Sequence, residues 1–203
     1  FPRNAAEMVA VLGASADLGL SVTPRGAGTG LAGGALGEDV VVDLARYGRR
    51  VGPVDLERRT VEVGPGLVLD QLNAALSPHD LWFGPDVATA SRATLGGMIA
   101  NNSSGAHAPV YGTTADHVVA LEIVLADGTT AVVGEGSDEL KGLGDEVDRV
   151  VEHHAGEIAS RLPPGLTKRW PGYGFDRYQR SGSNLSCLIA GSEGTLAVVT
   201  GAV

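Results

Sequence analysis

Pro24-Arg25-Gly26-Ala27-Gly28-Thr29-Gly30-Leu31-Ala32-Gly33-Gly34-Ala35 is the stretch on which the fold turns. Five of its twelve residues are glycine, and it directly follows a β-like segment, Leu20-Ser21-Val22-Thr23. Glycine costs backbone entropy, so this density marks a loop that uses positive φ angles or admits another group close to the main chain. With no Cβ in the way, successive amides can converge on an anion, of which phosphate is the usual one. Arg25 adds a fixed positive charge whose planar fork suits phosphate oxygens. A flexible linker could carry the same glycines, but linkers rarely sit between two strand-like runs.

Three phosphate-loop patterns compete for this stretch. A P-loop needs Gly-x-x-x-x-Gly-Lys-Ser/Thr, and no lysine lies near it. Gly28-x-Gly30-x-x-Gly33 matches the dinucleotide fingerprint in its letters. That fingerprint works only where the loop opens a helix whose N-terminus faces the pyrophosphate. Here Ala35-Leu36-Gly37-Glu38-Asp39 leads straight into Val40-Val41-Val42-Asp43-Leu44, a β-branched run that reads as a strand. Asp43 also comes too early to be the ribose-binding acid, expected about 20 residues on. What remains is strand, glycine-rich loop, strand.

The chain of 203 residues is long enough for one domain or two small lobes sharing a ligand. At this size roughly 70% of the unfolded surface is buried, so no staples are needed. Its 43% hydrophobic and 19% charged residues are ordinary for a globular protein. The 30 glycines are about twice the usual share, and they cluster at particular loops. A net charge of −9 argues against nucleic acid or an anionic membrane surface as the main partner. Cys187 is the only cysteine, so no internal disulfide or cysteine-based metal cluster can form, and it reads as a small core residue. No signal peptide and no apolar run of the ~20 residues needed to span a membrane are seen, which makes a cytoplasmic setting the expectation.

Phe1-Pro2 begins abruptly, as a fragment with its first strand trimmed would. Asn4 and Glu7 read as an N-cap and its capping-box partner, opening a helix that ends near Gly19. Val51 to Val54 and Thr60 to Val63 read as short strands, and Leu67 to Leu76 as an amphipathic helix. Gly84-Pro85-Asp86 opens a long loop, after which Thr94 is placed to cap a helix over Leu95 to Asn101. Gly96-Gly97 in the first turn of that helix are each unfavourable by roughly 1 kcal/mol against alanine, so close approach of a ligand is the expected compensation. Asn101-Asn102-Ser103-Ser104-Gly105 follows, dense in short hydrogen-bonding side chains. Asp127-Gly128 between Val119 to Leu125 and Thr129 to Val133 predicts a hairpin. Residues 144 to 162 carry apolar residues at helical spacing. His153 and His154 fall inside that helix about 100° apart, which predicts solvated surface and not a shared metal. Pro163-Pro164-Gly165 breaks it, and Gly191 to Thr200 reads as a turn and a strand.

In its glycine-rich loop the sequence resembles the vanillyl-alcohol-oxidase-type flavoproteins, or PCMH-type FAD-binding domains, whose Pro-Arg-Gly-x-Gly-Thr-x-x-x-Gly-Gly loop cradles the FAD pyrophosphate. Three more segments agree in order and spacing. The second is carried by Pro85, Asp86, Ala93, Thr94, Gly96, Gly97, Ala100 and Asn102. The third is Tyr111-Gly112-Thr113-Thr114-Ala115-Asp116-His117-Val118, and the fourth is Gly191-Ser192-Glu193-Gly194-Thr195-Leu196. The version here looks most like the branch containing glycolate oxidase, D-lactate dehydrogenase and D-2-hydroxyglutarate dehydrogenase. The Ala100-to-Gly105 wording and Lys168-Arg169-Trp170-Pro171-Gly172-Tyr173 resemble large bacterial proteins that join this domain to an iron–sulfur domain.

The resemblance implies an α+β fold of two lobes, residues 1–80 and 81–203, with a small mainly parallel sheet beside a larger antiparallel one flanked by helices. FAD would lie between them, non-covalently, because Thr29 stands where flavinylated relatives carry histidine. The implied contacts are Pro24, Arg25, Gly26, Ala27, Gly28, Thr29, Gly30, Leu31 and Gly33 in the loop. In the second segment they are Pro85, Asp86, Thr94, Gly96, Gly97, Ala100, Asn102, Ser103 and Gly105, with Val118, Glu193 and Gly194 after it. In such enzymes the α-hydrogen of a 2-hydroxy acid passes as hydride to flavin N5, and electrons leave to a quinone or an iron–sulfur cluster. No His-x-Gly-Asp-Gly-Asn-type motif is present. The capping domain, and every catalytic residue, is therefore expected outside these residues. A sugar or lactone oxidase, a peptidoglycan-precursor reductase and a non-catalytic nucleotide-binding module are the alternatives on the same domain.

Overall fold

The computed structural model describes residues 1–163 and 172–203. Pro164-Gly165 of the expected helix break and Lys168 to Pro171 of the basic stretch lie outside the described residues. Asn4 caps α1 (Ala5–Asp17), its side-chain oxygen accepting from the Glu7 amide at 2.9 Å. The reciprocal half of the expected capping box does not form. The Glu7 carboxylate turns instead to the backbone amide and guanidinium of Arg3. On its inner face α1 delivers Met8, fully buried, into a cluster with Val42, Val124 and Val198.

β1 (Val22–Arg25) and β2 (Val40–Asp43) pair in parallel, Val22 opposite Val40 and Arg25 opposite Asp43. A parallel pair must return the chain from the end of one strand to the start of the next, usually through a helix. Here the glycine-rich loop makes that return.

The remaining strands are β3 (Val51–Asp55), β4 (Thr60–Val63), β5 (Ala120–Val124), β6 (Thr130–Gly134) and β7 (Val198–Ala202). Among the described residues they form one antiparallel sheet in the order β3-β4-β7-β5-β6. Asp127-Gly128 closes the β5–β6 hairpin as expected, with the Asp127 carboxylate accepting from the Thr129 amide at 2.8 Å. α2 (Leu69–Leu76) and α3 (Leu95–Ala100) cover one face of this sheet. There Leu72, Leu95 and Ile99 pack with Leu121, Ile123 and Val199. Burying each such side chain contributes about 1.5–3 kcal/mol. The sheet takes β3 and β4 from before residue 80 and β5 to β7 from after it. A division at residues 80 and 81 therefore cuts across the hydrogen-bonded sheet.

α4 (Ala108–Tyr111) is a single turn. The one helix expected over residues 144 to 162 is two, α5 (Lys141–His153) and α6 (Ala155–Arg161), broken at His154 with φ −103° and ψ 14°. On either side of the break, Val151 and Ile158 both pack with Tyr178 and Leu188 on α7 (Phe175–Arg180) and α8 (Ser186–Ile189). His153 and His154 are exposed, as expected. Tyr178, 1% exposed, donates its hydroxyl to Asp148 at 2.8 Å. Burial, and then that hydrogen bond, push the phenol up to about 12. Cys187 is half-buried and packs against the same cluster. Among the described residues no helix is long and apolar enough to cross a membrane.

Candidate cofactor-binding site

The glycine-rich loop leaves the C-terminal end of β1 and forms one wall of a cleft of about 610 Å³. From Gly26 to Ala35 no backbone amide has a hydrogen-bond acceptor among the described residues. Ten successive amides are thus left for solvent or a ligand, which is the behaviour of an anion-binding nest. Arg25 does not stand free beside them. Its guanidinium pairs with Asp43 at 3.1 Å, across the β1–β2 register. Asp43 is held in turn by the Ala45 amide at 2.8 Å, so Arg25 is positioned while its remaining N–H groups stay available.

The opposite wall is α3 and the segment after it. Thr94 has the extended backbone of an N-cap, but its hydroxyl makes no capping bond and has no partner at 2% exposure. A Cβ on Gly26 would overlap that hydroxyl, which is how closely the two walls approach. Gly96 departs from expectation. A Cβ there would meet the Pro65 side chain at 2.7 Å and its carbonyl at 2.9 Å, so protein packing and not a ligand requires this glycine. Gly97 lines the open cleft, as do Ala100, Asn102 and Ser103. Asn102 spends its side-chain oxygen on the Ala115 amide at 2.9 Å, and the Ser103 carbonyl accepts from the Thr114 hydroxyl at 2.8 Å. These two residues therefore fix the shape of the wall.

A third wall comes from Ser192, Glu193 and Gly194 with the start of β7. It is pinned to the end of α3, the Gly191 amide donating to Ile99 at 2.9 Å and the Glu193 amide to Ala100 at 2.8 Å. Glu193 holds a left-handed backbone, φ 56°, and burial raises its carboxyl above the usual carboxylate range. Ser192, 3% exposed, carries a second hydroxyl without a partner. Ser192 is not among the residues expected at the cofactor, because its burial comes from tertiary packing and its polar neighbours Glu193 and Thr195 give no sign of it. Met98, Thr89 and Val199 also line the cleft unforeseen, because only the tertiary packing brings them there.

Pro24 through Leu31, Thr94, Gly96, Gly97, Ala100, Asn102, Ser103, Glu193 and Gly194 thus come together in one cleft. Gly33 sits between two lining residues, Ala32 and Gly34. Pro85, Asp86, Gly105 and Val118 do not line it. Pro85 is buried, and Asp86 bridges Gly105 through the backbone while pairing with His107 at 3.2 Å. Val118 lines a different cleft. Residues 24–35 and Pro65 supply one side of the site and residues 87–104 and 189–199 the other.

Residues 1–134 match the family described as FAD binding domain. The chain belongs to that family. The FAD-binding domain is 36% identical to a D-2-hydroxyglutarate dehydrogenase of Haemophilus influenzae, an alignment covering 98% of this chain and 21% of the relative. It is 33% identical to a D-lactate dehydrogenase of Archaeoglobus fulgidus, over 98% of this chain and 36% of that protein. The chain thus spans about a fifth of the first of these relatives and about a third of the second. The crystal structure of 6-hydroxy-D-nicotine oxidase from Arthrobacter nicotinovorans superposes with a TM-score of 0.68 at 17% identity, covering 98% of this chain and 34% of that one. That likeness shows the two-sheet fold.

FAD is the cofactor of this family, and the cleft's own atoms fit it. Acceptor-free amides suit a diphosphate. Two buried hydroxyls lack the partner that a polar ligand would give, a deficiency worth about 1–3 kcal/mol each.

Proposed function

We propose that this FAD-binding domain holds FAD for a flavin-dependent oxidoreductase acting on a small 2-hydroxy acid of the glycolate, D-lactate or D-2-hydroxyglutarate type. The observation that carries the reading is the run of free amides from Gly26 to Ala35 in one cleft with the orphaned hydroxyls of Thr94 and Ser192. Relatives at 36% and 33% identity with those printed activities support the substrate class. Bound there, FAD supplies a two-electron acceptor for oxidation at the α-carbon of the acid. In this reading the amides of residues 26–34 and the Asp43-held Arg25 neutralise the diphosphate. Thr94 and Ser192 donate to the cofactor's polar edge, and Met98 and Val199 exclude water from its apolar face. Glu193, raised by burial, holds a proton more readily than a solvated glutamate. We assign no catalytic residue within this chain. A capping domain completes the substrate site, and electrons pass to an iron–sulfur centre or a quinone. A cytoplasmic setting belongs to the same proposal, supported by the single cysteine.

The purified chain is expected to show flavin bands in the visible, and denaturation is expected to release intact FAD, since Thr29 offers no imidazole for a covalent link. A colourless chain that takes up no FAD on titration would refute the reading. Flavin that stays on the denatured chain would refute the non-covalent link.

Thr94→Val separates a ligand contact from a structural one. Removing an orphan hydroxyl at constant shape is expected to stabilise the FAD-free chain by about 1 kcal/mol, a melting temperature roughly 2–4 °C higher. FAD affinity is expected to fall about tenfold in the same variant. Scanning fluorimetry with and without FAD checks both. A lower melting temperature without FAD would mean that the hydroxyl already has a partner.

A further inference from the structure

A second cleft, of about 660 Å³, shares a wall with the first. The shared wall is α3: Leu95 and Ile99 line the second cleft, whereas Gly96, Gly97 and Ala100 line the first. Residues four apart on a helix lie on one stripe, which is why so short a helix serves both. The floor is apolar, with Val61, Val63, Leu76 and Ala202 beside Leu95 and Ile99. One rim is aromatic: Trp82, 61% exposed, meets Tyr111, 41% exposed, edge to face at 6.1 Å. This volume lies within the range of about 300–1,000 Å³ common to small-molecule sites, which combine apolar walls with a few placed polar groups.

The other rim carries Arg58 and Arg59, in the turn between β3 and β4. Neither guanidinium has an ion-pair or hydrogen-bond partner among the described residues; Arg58 uses only its backbone amide, toward Asp55 at 2.9 Å. The acid lining the same cleft, Asp116, is already committed to Arg177 at 3.0 Å and to the Thr113 amide at 2.7 Å. His117 is turned to the Tyr111 carbonyl at 2.8 Å. The unpaired charge at this cleft is therefore positive, in a chain whose net charge is −9. An apolar floor, an aromatic rim and two free planar cations select a particular ligand chemistry.

We propose that the second cleft binds a small amphipathic anion, a ring or short acyl body bearing a carboxylate, sulfonate or phosphate. The anionic head meets Arg58 and Arg59, and the body lies on Val61, Val63 and Ile99 beside Trp82. This site does not depend on the FAD reading of the first cleft.

The test compares 1-anilinonaphthalene-8-sulfonate with its uncharged analogue N-phenyl-1-naphthylamine. Both are titrated into the wild-type chain, with and without excess FAD, and into the double variant Arg58→Ser/Arg59→Ser. The sulfonate is expected to lose about tenfold in affinity in the double variant while the uncharged probe changes less than about twofold. Arg58→Lys/Arg59→Lys keeps the charge and is expected to retain most of the sulfonate affinity. In a Trp170→Phe background, energy transfer from Trp82 to the sulfonate probe is expected, and it is lost when Trp82→Phe is added. Sulfonate binding that is indifferent to both arginines overturns the proposal. So does energy transfer that survives Trp82→Phe in that background. Sulfonate binding abolished by FAD places the probe in the first cleft and also overturns it, whereas failure of FAD to bind at all would count against the first cleft alone.

Discussion

Gly105→Ala is expected to lower the stability of this chain by about 2–5 kcal/mol. Gly105 has φ +74°, a conformation that costs an L-residue roughly 1–2 kcal/mol. A Cβ there would also overlap the Asp86 carbonyl, and overpacking of this kind costs about 1–3 kcal/mol. The obstacle is backbone, not the end of a flexible side chain, so the strain cannot be relieved by a rotamer change. Relief would require breaking the Asp86–Gly105 bridge, which lets the Asn101-to-Ser104 wall of the FAD cleft shift. Gly142→Ala is the internal control. Gly142 lies inside α5 with open space around it and no positive φ, and alanine there is expected to stabilise by roughly 0.5–1 kcal/mol. Thermal unfolding of the two variants should move in opposite directions. A melting temperature unchanged by Gly105→Ala would refute the argument.

Gly26→Ala should weaken FAD binding about 10- to 100-fold. The added methyl overlaps the Thr94 hydroxyl and lies 3.6 Å from the Gly97 Cα, so the loop must lift away from α3. Displacing the first of the free amides costs about 1–3 kcal/mol by overpacking, which is that range in affinity. The clash names its own remedy. In Gly26→Ala/Thr94→Ala the obstructing hydroxyl is gone, and stability should return to that of Thr94→Ala alone. Melting temperatures and FAD titrations around this cycle measure the coupling directly. Additive losses would mean that the two residues do not touch.

Local chemistry was legible in the sequence wherever one segment decides its own conformation. Asn4, Asp127-Gly128 and the strand–loop–strand about Gly26 to Ala35 all fall in this class, because a cap, a turn and a glycine run need only near neighbours. Resemblance to a family added the order of the segments that meet at the cleft. What stayed hidden depends on partners far along the chain. Gly96 lines the cleft, yet what requires a glycine there is Pro65. The phosphate-suited fork of Arg25 was legible, but not that Asp43 holds it from the adjacent strand. Pro85, Asp86, Gly105 and Val118 were expected at the cofactor, but Pro85 is buried, Asp86 and Gly105 bridge each other, and Val118 lines another cleft. The break at His154 stayed hidden because Val151 and Ile158, seven apart, pack on the same partners and keep a helical apolar spacing across it.

β7 lies at the centre of its sheet, between β4 and β5. Its Val198 meets Met8 of the first helix in the same apolar cluster. During synthesis the two hairpins β3–β4 and β5–β6 can each close as they emerge, but they remain separate ribbons until this strand arrives between them. Such distant pairings form slowly, because loop-closure entropy is lost before the contacts reward it. Until β7 has emerged the glycine loop therefore faces no finished cleft, and competence to take up flavin waits on this one strand.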